Sequence, residues 1–391
     1  MTNTKWLSAL LAGTALVAVG TAAKADELST LKAQLEALQA QVASMQAAPA
    51  LPTGASLLTV KYTAGEGATF SVAPTADMPA PATEVTLSGE VRSLVSHYNW
   101  DAETTNSYHS DSSEAATDVA TRARVKVNAK TATSVGEVGV YARLQAKNGG
   151  TASINDYYGY WAISDSLKLT SGHSDTIAAV QGGADWNATG GVWDGSGAGL
   201  TNPGVEFAKL TMTSGPITAD VAVESSLDSS DSPAVAGSVV FGAMEGLSLQ
   251  VAARSEKDGG DDNTMVGGSA NFSMDRVTVS IGAATGNGGS GSWTYLTHDS
   301  SSGLDDDWTA YSGLVTVALT EDVRVEAYAG KAVNDTESDY AYDDITGYGA
   351  GVFWSPVKQL TLGVGADTYT ATQDGYDYDN TNVGVGAWFK F

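Results

Sequence analysis

Cysteine is absent from the 391 residues, histidine occurs four times, aromatic side chains make up only 8%, and 20 basic residues face 45 acidic ones. The first absence excludes a disulfide framework and a thiolate metal site. His97, His109, His173 and His298 stand at strand ends or in loops, and none belongs to a metal-ligand spacing or a Ser/His/Asp arrangement. A glycine-rich stretch near residues 182–199 lacks the Lys-Ser/Thr that would make it a phosphate loop, so catalysis is not expected. The acidic balance argues against nucleic acid as a partner. Past residue 25 no window approaches the roughly 20 continuous apolar residues of a membrane helix. If this chain crosses a bilayer, a closed barrel of strands is the solution left.

What is present favours strands and turns: 44 glycines, 42% hydrophobic residues and only 9 prolines. Met1 to Ala25 reads as a secretory signal, with Lys5 in the n-region, Trp6 to Gly20 apolar, and Ala23-Lys24-Ala25 as the cleavage signal. Its removal takes two lysines and no acid. Residues 26–46 then place Leu28, Leu31, Leu35, Leu38, Val42 and Met45 at alternating spacings of three and four, the seam of a short coiled-coil helix. A helix this short is marginal alone, so the seam implies self-association or packing on its own domain. Residues 47–83 read as a Pro/Ala linker containing a small β-hairpin at 57–62 and 68–73, whose task the sequence leaves open.

From residue 84 to 391 the pattern becomes one of repeated hairpins. Sixteen alternating or apolar strands are predicted near 84–98, 118–130, 135–147, 153–163, 166–173, 203–213, 216–226 and 234–243, then near 246–256, 263–274, 276–285, 308–320, 322–332, 343–354, 358–370 and 380–391. Short turns (Thr213-Ser214-Gly215, Met244-Glu245-Gly246, Ser355-Pro356-Val357) alternate with longer polar loops. The faces separate chemically. Arg122, Arg124 and Lys126 oppose Ala123, Val125 and Val127; Arg143, Gln145 and Lys147 oppose Ala142 and Leu144. Arg92 stands beside Glu90, and Arg324 and Glu326 oppose Val323 and Val325. Lys or Arg facing lipid at mid-depth costs about 2–4 kcal/mol, so the charged face is expected to line a wet lumen. The last strand is apolar on the face of Val383, Val385, Ala387, Phe389 and Phe391, and needs a partner edge, for which the first barrel strand is the candidate. In four strands (203–213, 234–243, 263–274 and 343–354) both faces are small or apolar, and the pattern leaves their register open.

Signal, coiled coil, Ala/Pro spacer, sixteen alternating strands and the terminal run Gly384-Val385-Gly386-Ala387-Trp388-Phe389-Lys390-Phe391 together resemble Gram-negative trimeric porins, most of all those of alphaproteobacteria. The resemblance implies an all-β fold, a 16-stranded antiparallel transmembrane barrel in the outer membrane with the N-terminal helix in the periplasm. It implies a homotrimer embedded among outer-membrane lipid and lipopolysaccharide that passes small hydrophilic solutes and ions without chemistry. Trp388, Phe389 and Phe391 would then be the signal read by the outer-membrane assembly machinery. The loop at 174–202, containing Asp175, Asp185, Trp186, Trp193 and Asp194, would fold inward as the constriction and face a basic ladder of Arg92, Arg122, Arg124, Lys126, Arg143 and Lys147. The loop lacks the Pro-Glu-Phe-Gly-Gly run of the enteric type, leaving the constriction's depth open. Trp186 and Trp193 are expected to anchor the loop rather than stack sugars. Trp161, Trp308, Trp354 and Trp388 lie near strand ends, where lipid-interface girdles are expected.

Acids crowd the remaining loops, at 101–118, 256–262, 299–307, 334–344 and 374–379. Solvation is their expected role; Ca²⁺ held by oxygen ligands at 258–262 or 305–307 is the weaker reading, and no other metal or cofactor is expected. Ion preference stays divided, because the loop acids argue for cations and the basic ladder for anions. A sugar-specific porin, an outer-membrane anchor tethering the cell wall and, more remotely, a barrel lipase are the competing readings.

Overall fold

A computed structural model of the chain describes residues 57–73, 83–104, 112–180, 204–226, 232–258, 261–287, 307–334, 343–373 and 376–391. Among them are eighteen strands: β1 Leu57–Thr63, β2 Gly67–Ala73, β3 Thr83–Thr104, β4 Ser112–Thr133, β5 Gly136–Lys147, β6 Ser153–Ser164, β7 Leu167–Asp175, β8 Gly204–Ser214 and β9 Ile217–Glu224, followed by β10 Ala234–Met244, β11 Leu247–Asp258, β12 Asp261–Met274, β13 Val277–Gly286, β14 Trp308–Ala318, β15 Val323–Asn334, β16 Asp344–Val357, β17 Leu360–Gln373 and β18 Tyr376–Lys390. The signal segment and the coiled-coil seam from Leu28 to Met45 lie outside the described residues.

Strands β3 to β18 pair each with the next, all antiparallel, and β18 closes onto β3 with Val383 opposite His97 and Phe389 opposite Val91. The result is a closed barrel of sixteen strands, with no open edge in the wall. All sixteen expected strands are present; β3 and β4 run further than the alternation alone indicated, to Thr104 and from Ser112. The four strands of open register are β8, β10, β12 and β16. Turn geometry settles two ends, where Gly215 and Gly246 take positive φ. An irregularity between Trp354 and Val357 carries β16 through Ser355-Pro356-Val357, so that turn falls later, at Lys358-Gln359.

The predicted hairpin is β1–β2, and its place is specific. β18 ends opposite Glu90, and β2 takes over the same edge of β3 below it, pairing Ala68–Val72 with Thr83–Leu87. β3 is therefore long because two successive partners share one of its edges. The hairpin's turn lies under the β16–β17 connection, where a Cβ on Gly65 would stand 2.8 Å from the carbonyl oxygen of Lys358.

Period-two alternation sorts the wall as the sequence implied. Val91, Val95, Val119, Val125, Val221, Val251, Ile281, Val364 and Val385 are exposed on the outer face, while Arg92, Leu94, Arg122, Ala222 and Ala252 between them are buried. An apolar outer surface of this extent is tolerated against lipid or protein, not against water. Trp161, Phe241, Phe272, Trp354 and Phe389 form an outer ring near the lower ends of β6, β10, β12, β16 and β18. Trp161 is typical of an interface aromatic, its indole N–H donating to the Val135 carbonyl at 2.8 Å while the ring stays outside. Trp308 and Trp388 depart from the expected girdle. Their cross-strand partners, Gly286 and Arg92, place both on the inner face, and Trp308 is buried there.

Candidate pore wall and loop root

Cross-strand register brings the predicted basic ladder onto one inner wall. Arg92 lies opposite Arg122, Arg122 opposite Lys147, Arg124 opposite Gln145, and Lys126 opposite Arg143. Rather than an open row of cations, three of them converge on a single acid. Glu90 Oε1 is 3.1 Å from Arg92 Nε, 3.4 Å from Arg122 Nη2 and 3.6 Å from Arg124 Nη1, and the Arg122 side chain is 0% exposed. Taking such ions from water costs several kcal/mol each, which the shared carboxylate offsets. Arg143 pairs with Asp156 at 2.8 Å and also donates to the Asn155 side chain. Arg124 Nε donates to Gln145 at 2.6 Å.

The terminal run contributes to the same wall. The Arg92 guanidinium carbon lies 3.5 Å from the Trp388 ring centroid and Lys390 Nζ lies 3.6 Å from it. Each contact of this kind is worth about 0.5–2 kcal/mol. Trp388 is thus an inner-wall spacer that separates two cations, whereas Phe389 and Phe391 face outward.

Of the predicted constriction residues, Asp185, Trp186, Trp193 and Asp194 lie outside the described residues. Asp175, the last residue of β7, is exposed and lies at the edge of an inner-face cavity with Thr170, Ser174 and Lys209. Immediately after it the chain turns inward. Thr176, Ala178 and Val180 are buried, and Ala178 and Val180 pack against Ala236, Ala252, Met265, Ala284, Trp308 and Ala310 of β10 to β14. Small residues allow this: a Cβ on Gly267 would come within 3.0 Å of Val180 Cγ2.

A polar clamp holds that loop root, and sequence reading missed it. Glu224, at the end of β9, accepts from Thr176 Oγ1 at 2.7 Å, from the Ile177 backbone N–H at 2.9 Å and from Arg254 Nε at 3.0 Å. Arg254 of β11 also bridges to Glu256 at 3.0 Å and donates to the Ser225 carbonyl at 2.8 Å. All three charged side chains are 0% exposed. Further on, Gln250 donates to the Ala179 carbonyl at 2.8 Å. The signal available was Arg254 and Glu256 alternating with Val251, Ala253 and Ser255 on β11, but nothing local linked them to Thr176.

Among the described residues no group of three or more His, Asp or Glu side chains converges as a metal site. Residues 259–260 and 305–306 of the Ca²⁺ candidates lie outside them.

The barrel is similar to solved outer-membrane proteins. Against the outer membrane channel DcaP of Acinetobacter baumannii the TM-score is 0.61 at 18% identity, covering 79% of this chain and 97% of that one. Against a loop-deletion mutant of OmpT, an outer membrane protein of Vibrio cholerae, it is 0.53 at 12% identity, covering 79% and 99%. At such identities the likeness is one of fold. No family model matches the chain, and no curated protein matches it.

Proposed function

We propose that this chain is an outer-membrane porin, a homotrimer in which each barrel is a water-filled channel for passive diffusion of small hydrophilic solutes and ions. The observation that carries the reading is the closed sixteen-strand wall, apolar outside and ionic inside, with the segment after β7 turned into the lumen and clamped there. Such a wall satisfies every backbone group without water and leaves a polar interior, the arrangement a channel requires. Selection then falls to the width left by the loop and to the field of the Glu90 cluster and its neighbouring cations.

Purified trimer in a planar bilayer should insert as stable pores that close in three equal steps. Membranes that stay silent, or record only irregular leaks, would sink the proposal. Selectivity has a separate test. Neutralising Arg124 and Lys126 to Gln should move the zero-current potential in a salt gradient towards cations, because fixed positive charge on the conducting path excludes them. An unchanged potential would place that wall off the path. Arg122 is the poorer choice, being fully buried against Glu90.

A further inference from the structure

We infer that the inner face of β6, β7 and β8 carries a binding site for a small monoanion with a planar ring, an arene carboxylate of benzoate size. The register builds a three-by-three grid there: Tyr158, Gly172 and Phe207 in one row; Tyr160, Thr170 and Lys209 in the next; Ala162, Lys168 and Thr211 in the third. The grid surrounds a cavity of about 250 Å³, bounded at its upper side by Ser174, Asp175 and Ile177 of the clamped loop root.

Four features give this cavity its chemistry. Its middle position is Thr170, only 5% exposed, and its hydroxyl Oγ1 has no hydrogen-bond partner among the described residues. A buried hydroxyl without a partner costs about 1–3 kcal/mol, and a ligand oxygen would remove that cost. Gly172 leaves the row between the two aromatic rings empty. Its φ is +154°, and a Cβ would stand 2.1 Å from the Tyr157 carbonyl oxygen, so no side chain can occupy it. Tyr158, Tyr160 and Phe207 supply ring surfaces for a flat solute, with Tyr158 held by stacking on Tyr141 at 5.1 Å and Tyr160 by its hydroxyl donating to Glu137 at 2.9 Å.

Charge selects the sign. Lys168 is exposed to the lumen, its Nζ 6.0 Å from the Tyr160 ring centroid. Lys209 lies 5.8 Å from the Phe207 centroid and only loosely pairs with Asp220, at 3.9 Å, while that acid also accepts from Thr211. Asp175 sits at the rim and Asp220 reaches Lys209, so Lys168 is the ammonium group with no ion pair among the described residues. A carboxylate reaching Lys168 and the Thr170 hydroxyl, with its ring against Phe207 and Tyr160, satisfies these groups, whereas a neutral sugar leaves Lys168 uncompensated.

The site rests on the porin reading only in that the cavity opens to channel water, and two measurements separate the two. Saturation-transfer NMR on the solubilised trimer should show benzoate bound in the millimolar range by transfer to its ring protons. In the bilayer, benzoate should block the current saturably. Lys168→Gln should weaken both readouts about tenfold and Lys168→Arg should restore them. Phe207→Leu should weaken benzoate while sparing cyclohexanecarboxylate, which binds poorly to begin with. Open channels with no benzoate block and no transfer would overturn the site and leave the pore standing. Equal binding of cyclohexanecarboxylate would overturn the ring surface, and saturable block by glucose instead would overturn the anion.

Discussion

On the porin reading proposed above, deleting Phe391 should lower the yield of assembled barrel by tenfold or more, while barrels that do assemble conduct like the parent. The Phe391 backbone N–H donates to the Gly89 carbonyl and its carbonyl accepts from the Gly89 N–H, both at 3.0 Å. These two bonds close the last rung between β18 and β3, each worth about 1 kcal/mol net. The ring lies over Gly89, where a Cβ would stand 2.2 Å from its Cζ, and remains half exposed on the outer face. A loss of this size is small for a ladder that already pairs β18 to β3 from Tyr376 to Lys390. Assembly should suffer disproportionately if, as the proposed reading has it, the exposed ring on the outside of the closing strand is the signal an assembly receptor reads before closure. The measurement is heat-modifiable trimer in membranes against single-channel conductance. Gly89→Val supplies the control: it displaces the ring but keeps Phe391, so it should perturb folded stability with less effect on recognition. A deletion that assembles as well as the parent would show the residue to be ordinary.

Glu224→Ala should release the loop root and destabilise it by on the order of 3 kcal/mol. The substitution takes one acceptor from the Thr176 hydroxyl, the Ile177 N–H and the Arg254 guanidinium together, and leaves a buried cation with less compensation. The clamp also ties β9 to β11, but both strands are held by their backbone ladders to β10, so the barrel's resistance to heat in detergent should change little. Protease sensitivity at residues 176–180 and open-channel current noise should both rise. Glu224→Gln, which retains one good acceptor, should fall between the two. Quiet currents and unchanged cleavage in the alanine variant would mean that the apolar seat of Ala178 and Val180 suffices on its own.

The period-two pattern was legible because it is local. Side chains two apart on a strand share a face whatever the rest of the chain does, so Arg122, Arg124 and Lys126 could be assigned to one side, and Val383, Val385 and Phe389 to the other, before any partner was known. The same locality yielded the strand count, the β1–β2 hairpin and the need of β18 for the edge of β3. Contacts inside the lumen have no such local sign. Thr176 and Glu224 are 48 residues apart, and Arg254 joins them from a further hairpin. Trp308 and Trp388 read as interface aromatics by position near strand ends, yet register turns both inward. By itself the sequence determined that this chain forms a closed barrel with an ionic interior, because alternation and turn chemistry act over a few residues. The tertiary structure alone decided that three arginines share Glu90, that Glu224 clamps the loop root, and that Thr170 stands between Tyr160 and Lys209 with its hydroxyl unpartnered among the described residues. Those are consequences of closure, which sets the register and brings together residues that no spacing in the chain relates.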